Sequence, residues 1–308
     1  MFRNVLIGVD GTPDGLDAIA LATVLAEPGA SLTLAHVYAG RPTPGHVSNR
    51  LFHAFYERAH ADALGLLEAA REESGVDAAL VAVGAASVGR GLHTLAEEHD
   101  ADLLVVGSCG RGPVGRVVIG DDTRASLNGA ACAVAIAPRA YATDRPELAR
   151  IGVGYDFTDE SHVALVAARE VAAQHGASVS ALNVVAQPIG AYASPMPSDW
   201  GYILEQERQD AAERLRSIED VDASAIYGAP FEELAAFGDH VDLLVVGSRS
   251  YGPMRRLVFG STSSHLTRHA HCPLLVLPRA NPERPPVLGP VLGRRRRGSA
   301  ATPVGSGS

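Results

Sequence analysis

Two glycine-rich segments of the chain have the spacing of phosphate-binding loops. The first runs from Gly107 through Gly110 to Gly120 and the second from Gly247 to Gly260, and in each the outer glycines are spaced 13 positions apart. Glycine lets backbone N–H groups approach a phosphate closely. A helix that begins at the second glycine adds unpaired donors and partial positive charge. The spacing therefore predicts two anion sites.

An acid closes the first apolar run of each half of the chain, Asp10 in one and Asp156 in the other. A carboxylate at this position can accept hydrogen bonds from a ribose or an adenine amino group. Alternatively, each acid could be the N-cap of the helix that follows, a position that Asp favours. Ligands of doubly wound sheets bind at the carboxyl ends of strands. On that geometry alone, the ends of the second strands, Val37 and Val184, join the predicted sites.

Internal repetition indicates that the chain is a duplicated domain. The segment Asp102–Ser108 (DLLVVGS) recurs 140 residues later as Asp242–Ser248, and Cys132–Pro138 (CAVAIAP) recurs at the same offset as Cys272–Pro278 (CPLLVLP). A period this long is that of a whole domain rather than of a solenoid repeat. Each half is therefore expected to bury its own core and to carry its own version of any site.

The 308 residues are expected to form two domains and a tail. We place the domains at residues 1–140 and 148–280, with a short linker over Ala140–Pro146. The Pro/Arg/Gly-rich residues 281–308 are expected to be a disordered tail. Its run of four arginines, Arg294–Arg297, is interpreted as solvated, because so few charges attach only weakly to nucleic acid or a membrane surface.

Short Val/Leu/Ile/Ala runs alternate with helical patterns in both halves. Such near-continuous apolar strands belong to parallel sheets covered by helices on both faces. The pattern predicts an α/β fold with two tandem, doubly wound, five-stranded parallel sheets. Among its elements are a strand over 31–38 and helices over 92–99 and 122–128.

Composition excludes several classes of function. Its hydrophobic content of 46% is typical of a globular protein. Its formal net charge of −9 argues against nucleic-acid binding, which needs a basic surface. It contains no lysine, which excludes a Schiff-base lysine and a P-loop lysine. Without a leader pattern or an apolar run of about 18 residues, it is expected to be cytoplasmic and to have no membrane partner.

Cysteines and histidines give weaker signals. Cys132 and Cys272 precede apolar strands at equivalent positions and are interpreted as small buried hydrophobes. Cys109 lies in the first glycine-rich loop, where a redox role is disfavoured because only Arg111 is near enough to lower the pKa of its thiol. His265 and His269 have a metal-compatible spacing and His271 follows, but no recognised ligand pattern includes them. We expect no metal site and, without a visible nucleophile–base pair, no catalytic residues.

With these residues the chain resembles the universal stress proteins in their tandem-domain form. The family pattern is Gly, two residues, Gly, nine residues, Gly and then Ser or Thr, with an Asp at the end of strand one. The resemblance covers about residues 1–139 and 148–279. It implies a Rossmann-like adenine-nucleotide-binding sheet of order 3-2-1-4-5 and an intramolecular pseudo-dimer that pairs through the last strand. It also implies ATP bound without a Walker motif.

The resemblance also assigns roles to residues of this chain. In ATP-binding members the Asp and the end of strand two hold the adenosine, and the glycines and hydroxyl residues hold the phosphates. Those roles fall here on Asp10, Val37, Gly107, Gly110 and Gly120 in the first half, and on Asp156, Val184, Gly247, Gly260, Ser261 and Thr262 in the second.

Each half departs from the family pattern. The first has Asp121, followed by Asp122, where a hydroxyl residue belongs. At an effective dielectric constant of about 20, these two carboxylates disfavour the binding of a polyphosphate unless Mg²⁺ bridges the negative groups. The second has Ser250 at the middle glycine, which costs about 1 kcal/mol if that residue needs a positive φ. We therefore expect the second site to bind ATP more tightly than the first.

The function favoured by the sequence is that of a stress-response regulator with ATP as its ligand and at most slow hydrolysis. Nucleotide occupancy would change its conformation or its affinity for an unidentified protein partner; further homodimerisation is left open. The alternative is a nucleotide-free interaction module of the same fold with degenerate sites. An enzyme that uses adenine nucleotides is disfavoured, since a Ser-Gly-Gly-type loop does not follow strand one.

Overall fold

Two copies of one α/β unit follow each other along the chain and share a single sheet. The computed structural model describes residues 2–40, 50–108, 114–120, 124, 127–144, 146–186, 200–248, 257 and 259–278. We call the part up to residue 140 the first half and the part from residue 148 the second half. The loop residues Cys109, Gly110, Asp121, Asp122 and Ser250, the Arg residues 111, 249, 255 and 256, and the tail lie outside the described residues.

The first half alternates strands and helices as the sequence predicts. Its elements are β1 (Phe2–Gly8), α1 (Pro13–Leu25), β2 (Ala26–Ala39), α2 (Arg50–Ser74), β3 (Ala79–Ala85), α3 (Val88–Glu98), β4 (Leu103–Gly107) and β5 (Ala133–Ala137). Of the helix predicted over 122–128, the described residues Arg124 and Leu127 are helical, and the Asn128 amide donates to the Arg124 carbonyl at 3.1 Å.

The second half repeats this order after a short helix, α4 (Tyr141–Asp144). Its elements are β6 (Arg150–Gly154), α5 (Asp159–His175), β7 (Ser178–Ala186), α6 (Trp200–Leu215), β8 (Asp222–Gly228), α7 (Pro230–Phe237), β9 (Leu243–Gly247), α8 (Ser261–His269) and β10 (Leu274–Leu277). A single 3₁₀ turn, Gly238–His240, extends α7.

All ten strands form one sheet in the order β3-β2-β1-β4-β5-β10-β9-β6-β7-β8. Pairing is parallel within each half, so each half has the predicted order 3-2-1-4-5. The last strands, β5 and β10, pair antiparallel, with Leu274 opposite Ile136 and Val276 opposite Val134. The doubly wound fold is confirmed, and the two predicted sheets are continuous with each other.

Strand composition explains why this sheet is covered on both faces. Every residue of β5 (AVAIA) and β10 (LLVL) is buried, as are the first four of β4 and β9. Alternate residues of a strand point to opposite faces, and helices of both halves pack on each face in two large apolar clusters. The ends of the strands are left as the exposed edge at which a ligand can reach the backbone.

The segment predicted to be a linker is anchored to the first half. Residues 141–144 form a helical turn, and the Ala140 and Ala142 amides each donate to the carboxylate of Asp17 on α1 at 2.7 Å. Burial of Asp17 raises the pKa of its carboxyl group, while these two hydrogen bonds lower it. Tyr141 is buried against the core. Local sequence does not predict this anchoring, because Asp17 lies more than a hundred residues away from the segment.

Two element boundaries also differ from the predicted ones. Strand β2 begins at Ala26 rather than at 31, because Ala26 pairs with Phe2 across a register shift in the ladder. Helix α3 begins at Val88 rather than at 92, and the Ser87 hydroxyl at its N-cap accepts a hydrogen bond from the Arg90 amide at 3.4 Å. The search for membrane-spanning helices, made on the described residues, finds none long and apolar enough to cross a bilayer.

Candidate functional site

A cleft of about 150 Å³ opens at the carboxyl ends of the central strands of the first half. It brings together four of the predicted site residues, Asp10, Val37, Gly107 and Gly120. The other lining residues are Gly8, Val9, Asp14, Gly15, Ala35, His36, Val88, Leu92, Val106, Ser108 and Ile119. Pockets that enclose a whole ligand measure roughly 300–1,000 Å³. The cleft therefore has room for part of a nucleotide, such as its base, with the rest outside.

The acids that end the first strands have the same geometry in both halves. The Asp10 carboxylate accepts hydrogen bonds from the Thr12 amide at 3.0 Å and from the Thr12 hydroxyl at 2.7 Å. Asp156 accepts the same two bonds from Thr158. The N-cap residues are the threonines, so the interpretation of the acids as N-caps is wrong. Each acid instead fixes the strand-to-helix turn and leaves its carboxylate exposed at the strand end.

The ends of the second strands are tied to the first strands by side chains that sequence reasoning missed. His36 Nδ1 donates to the Val9 carbonyl at 2.7 Å, and Asn183 Nδ2 donates to the Tyr155 carbonyl at 2.8 Å. Next in the chain come the predicted residues Val37 and Val184. Because the strands are parallel neighbours, these bonds hold the ends of β1 and β2, and of β6 and β7, at fixed relative positions.

The predicted glycines do two different things. A Cβ on Gly107 would lie 2.0 Å from the Asp14 carbonyl oxygen, and one on Gly247 would lie 2.7 Å from the Glu160 backbone. These glycines therefore let the first helix of each half pack directly on the fourth strand. A Cβ on Gly120, in contrast, would meet no atom of the described residues within 4 Å, so packing against them does not require glycine there.

A buried serine that sequence reasoning missed shapes the first glycine-rich loop. The Ser108 hydroxyl accepts a hydrogen bond from the Val118 amide at 2.6 Å and donates to the Val118 carbonyl at 2.9 Å. These bonds hold the segment that leads to Gly120 against the end of β4. Ser248 is equally buried at the matching position. The repeated Gly-Ser pair was a signal for this role in the sequence.

The predicted residues of the second half lie at the carboxyl ends of its own strands, which run antiparallel to those of the first half. Asp156 follows β6, the central strand of this half, Gly247 ends β9, and Val184 lies two residues before the end of β7. Gly260 is the N-cap of α8, and Ser261 and Thr262 are its first two residues. A hydroxyl pair at a helix N-terminus is suited to an anion.

The second half differs from the first in its aromatic residues. Phe157 follows Asp156 with a φ of 64°, at the position where Gly11 has a φ of 82°. Its ring lies 3.7 Å from the Arg214 guanidinium and edge-on to Tyr155 at 5.3 Å. On α7, Phe231 packs on His265 of α8 with ring centroids 4.6 Å apart.

Histidine and cysteine side chains have structural surroundings. His265 stacks on His269 at 3.9 Å, and burial lowers the pKa of His265. Within the described part of the chain, three or more possible ligands do not group into a metal site. Cys132 and Cys272 are buried, as predicted, and burial raises the pKa of both thiols to about 12. Neither thiol can be a nucleophile near neutral pH.

Comparison with known proteins agrees with this architecture. The model of the universal stress protein family matches residues 1–138 and again residues 147–278. The chain belongs to the universal stress protein family. One family member from Mycobacterium tuberculosis is 28% identical over 206 residues, which are 62% of this chain and 69% of the relative. A second from that organism is 25% identical over 291 residues, 89% of this chain and 96% of the relative.

Solved structures of the family share the tandem fold. A universal stress protein from Archaeoglobus fulgidus superposes with a TM-score of 0.63 at 17% identity and covers 90% of this chain and 99% of its own. One described as a putative universal stress protein from Pseudomonas aeruginosa gives 0.57 at 15% identity, with 90% and 94% covered. At these identities the likeness concerns the fold alone.

Proposed function

We propose that this chain binds adenine nucleotides, as ATP–Mg²⁺, at the carboxyl ends of the strands in both halves. In this account it is a stress-response regulator whose state depends on nucleotide occupancy. The observation that carries the proposal is the first-half cleft, which gathers Asp10, Val37, Gly107 and Gly120. These residues come from four separate segments of the first half, and the sequence predicts each of them as a site residue.

The residues that line the cleft offer contacts for separate parts of a nucleotide. Val37, Leu92 and Val106 provide apolar contacts for a base, and the exposed Asp10 carboxylate can accept from a ribose hydroxyl. Gly120 also lines the cleft, and a side chain there would meet no atom of the described residues within 4 Å. Glycine at a position where packing does not require it is consistent with close approach of a phosphate.

A regulatory rather than catalytic role is supported by the polar side chains of the cleft. The Ser108 hydroxyl is engaged by both backbone groups of Val118, and His36 donates from Nδ1 to the Val9 carbonyl. A serine nucleophile needs a base within hydrogen-bond reach; here its partner is backbone. ATP is therefore expected to stay bound with at most slow hydrolysis, and its binding would alter affinity for a protein partner.

Both halves are included because the supports of the acids and of the strand ends are the same in each. The ranking of the two sites rests on loop residues outside the described part of the chain, so the expectation that the second is tighter stays a prediction. The rival function is a nucleotide-free interaction module.

Titration of the full chain with ATP–Mg²⁺, together with mass spectrometry of any co-purified nucleotide, tests the proposal. We expect Gly120→Ala to weaken ATP binding at the first site by about tenfold or more without a loss of stability, since its Cβ would meet only the ligand. Gly65→Ala on α2 is the matched control, because its Cβ also has open space and lies outside the cleft. A chain without nucleotide that ignores millimolar ATP–Mg²⁺ would support the rival.

A further inference from the structure

The segments that return from the two glycine-rich loops are each held by the opposite half. The Val117 amide donates to the Ala270 carbonyl at 2.8 Å, and the Leu257 amide donates to the Ala130 carbonyl at 2.9 Å. Val117 and Leu257 are fully buried. Each loop is therefore shaped in part by the half that does not contain it.

Two further bonds fix the residues next to the phosphate-end glycines. The Ile119 amide, which precedes Gly120, donates to the Thr267 carbonyl on α8 at 3.0 Å. The Phe259 amide, which precedes Gly260, donates to Oδ1 of Asn128 in the first half at 3.1 Å. The acceptor of the first amide is thus a backbone carbonyl of the second half, and the acceptor of the second amide is an asparagine side chain of the first half.

Helical hydrogen bonds close these contacts into a ring. The Gly120 carbonyl accepts a hydrogen bond from the Arg124 amide at 2.9 Å, and the Arg124 carbonyl accepts one from the Asn128 amide at 3.1 Å. The Gly260 carbonyl accepts a hydrogen bond from the Ser264 amide at 2.8 Å, and the Ser264 carbonyl accepts one from the Thr267 hydroxyl at 2.8 Å.

A cross-link also spans the ring. The Arg124 guanidinium donates to the Ser264 hydroxyl at 2.5 Å. The ring leads from Gly120 through Asn128 to Gly260 and returns through Thr267, which is fully buried. Water therefore competes weakly for the Thr267 groups, whereas the bond between the Phe259 amide and Asn128 lies at the exposed surface.

We propose that this ring couples the two candidate sites, so that a ligand at one site raises the affinity of the other. The inference rests on the proposed function, since it names a regulation of the same two sites. A ligand that orders Gly260 also orders Phe259 and α8, and α8 holds Ile119 beside Gly120. The second ligand then finds its loop already ordered and loses less entropy on binding, which is positive cooperativity.

The coupling is measured by comparing the affinity of the first site for ATP–Mg²⁺ when the second site is empty with its affinity when the second site is filled. Ser261→Asp disfavours a phosphate at the start of α8, while an acid in a first turn is favourable to the helix. Calorimetric titration with ATP–Mg²⁺ should give a Kd for the first site of this variant that is about fivefold higher than the Kd of the second binding step of the wild type. Equal values would overturn the coupling.

Asn128 supplies the variant that breaks the ring, and a matched control. Asn128→Ala removes the acceptor of the Phe259 amide. In that background, the Kd values of the first site with the second site empty and filled should differ by less than about twofold. Asn128→Asp keeps an oxygen acceptor and should keep the fivefold difference. The same difference in the alanine and aspartate backgrounds would show that the ring does not transmit the effect.

Hydrogen exchange without any nucleotide separates the failure of this inference from failure of the proposed function. Asn128→Ala should speed exchange of the Ile119 amide about fivefold, although the acceptor of that amide, Thr267, is untouched. Faster exchange at Phe259 alone would show a merely local bond and would contradict the coupling. If Ile119 responds but ATP never binds, the proposed function fails and the physical link between the loops stands.

Discussion

The two halves of the molecule share a backbone frame but differ in the side chains around it. In both, an acid braces the turn after the first strand, a polar side chain ties the second strand to the first, and a glycine admits the first helix against the fourth strand. After the acid, however, Gly11 in the first half corresponds to Phe157 in the second.

The difference shows which features the fold itself needs. A left-handed backbone after the acid is kept in both halves, although one half achieves it with glycine and the other with an aromatic residue stabilised by Arg214 and Tyr155. Shared features are therefore parts of the scaffold, and features in which the halves differ are where the two sites can acquire separate affinities.

The largest effect is expected at the glycines that admit helices. Gly107→Ala should lower the free energy of unfolding by about 3 kcal/mol and Gly247→Ala by about 2 kcal/mol, since the new Cβ would collide with backbone in each half. Gly120→Ala should change it by less than about 0.5 kcal/mol. Urea unfolding measures all three; an equal loss at Gly120 would mean that it is a packing glycine too.

An exchange of the residues after the acids should have an intermediate effect. Gly11→Phe should cost about 2 kcal/mol, because the Leu66 side chain already fills the space and lies 2.5 Å from a Cβ at that position. Phe157→Gly should cost only about 1 kcal/mol, since relief of the left-handed strain offsets part of the lost ring packing. Thermal and urea unfolding compare the pair, and equal costs would contradict the view that the halves reach this turn differently.

The smallest difference between the halves is expected at the cysteines. Cys132 and Cys272 are buried and have thiol pKa values of about 12. Neither should be alkylated measurably in the native protein at pH 8, and both should react after denaturation. Peptide mass spectrometry after iodoacetamide treatment reads each position separately. Native labelling of one but not the other would show that its half opens independently.

Much of the fold could be predicted because its signals are local. Repeated runs such as LLVVG specify buried parallel strands, and the duplication places them twice. The contacts that fix the sites are not local. Ser108 bonds to a segment that returns ten residues later, and Asp17 anchors a turn more than a hundred residues away.

The candidate site shows the same limit. Sequence spacing identified Gly107 and Gly120 as a pair, but both were predicted to approach a phosphate, whereas Gly107 packs against the Asp14 backbone. Residue type alone does not distinguish these two uses of glycine, since each requires only a missing Cβ. The role of Asn128 likewise depends on pairing between the halves, which no local pattern specifies.

Hydrogen exchange of the wild-type chain with and without ATP–Mg²⁺ tests the central claim most directly, because it reports on each strand end separately. With ATP–Mg²⁺ bound, we expect slower exchange in residues 8–10, 88–92 and 117–120, the segments that contain the lining residues Gly8, Val9, Asp10, Val88, Leu92, Ile119 and Gly120. Unchanged exchange in all three segments at saturating ATP–Mg²⁺ would contradict the assignment of this cleft as a nucleotide site.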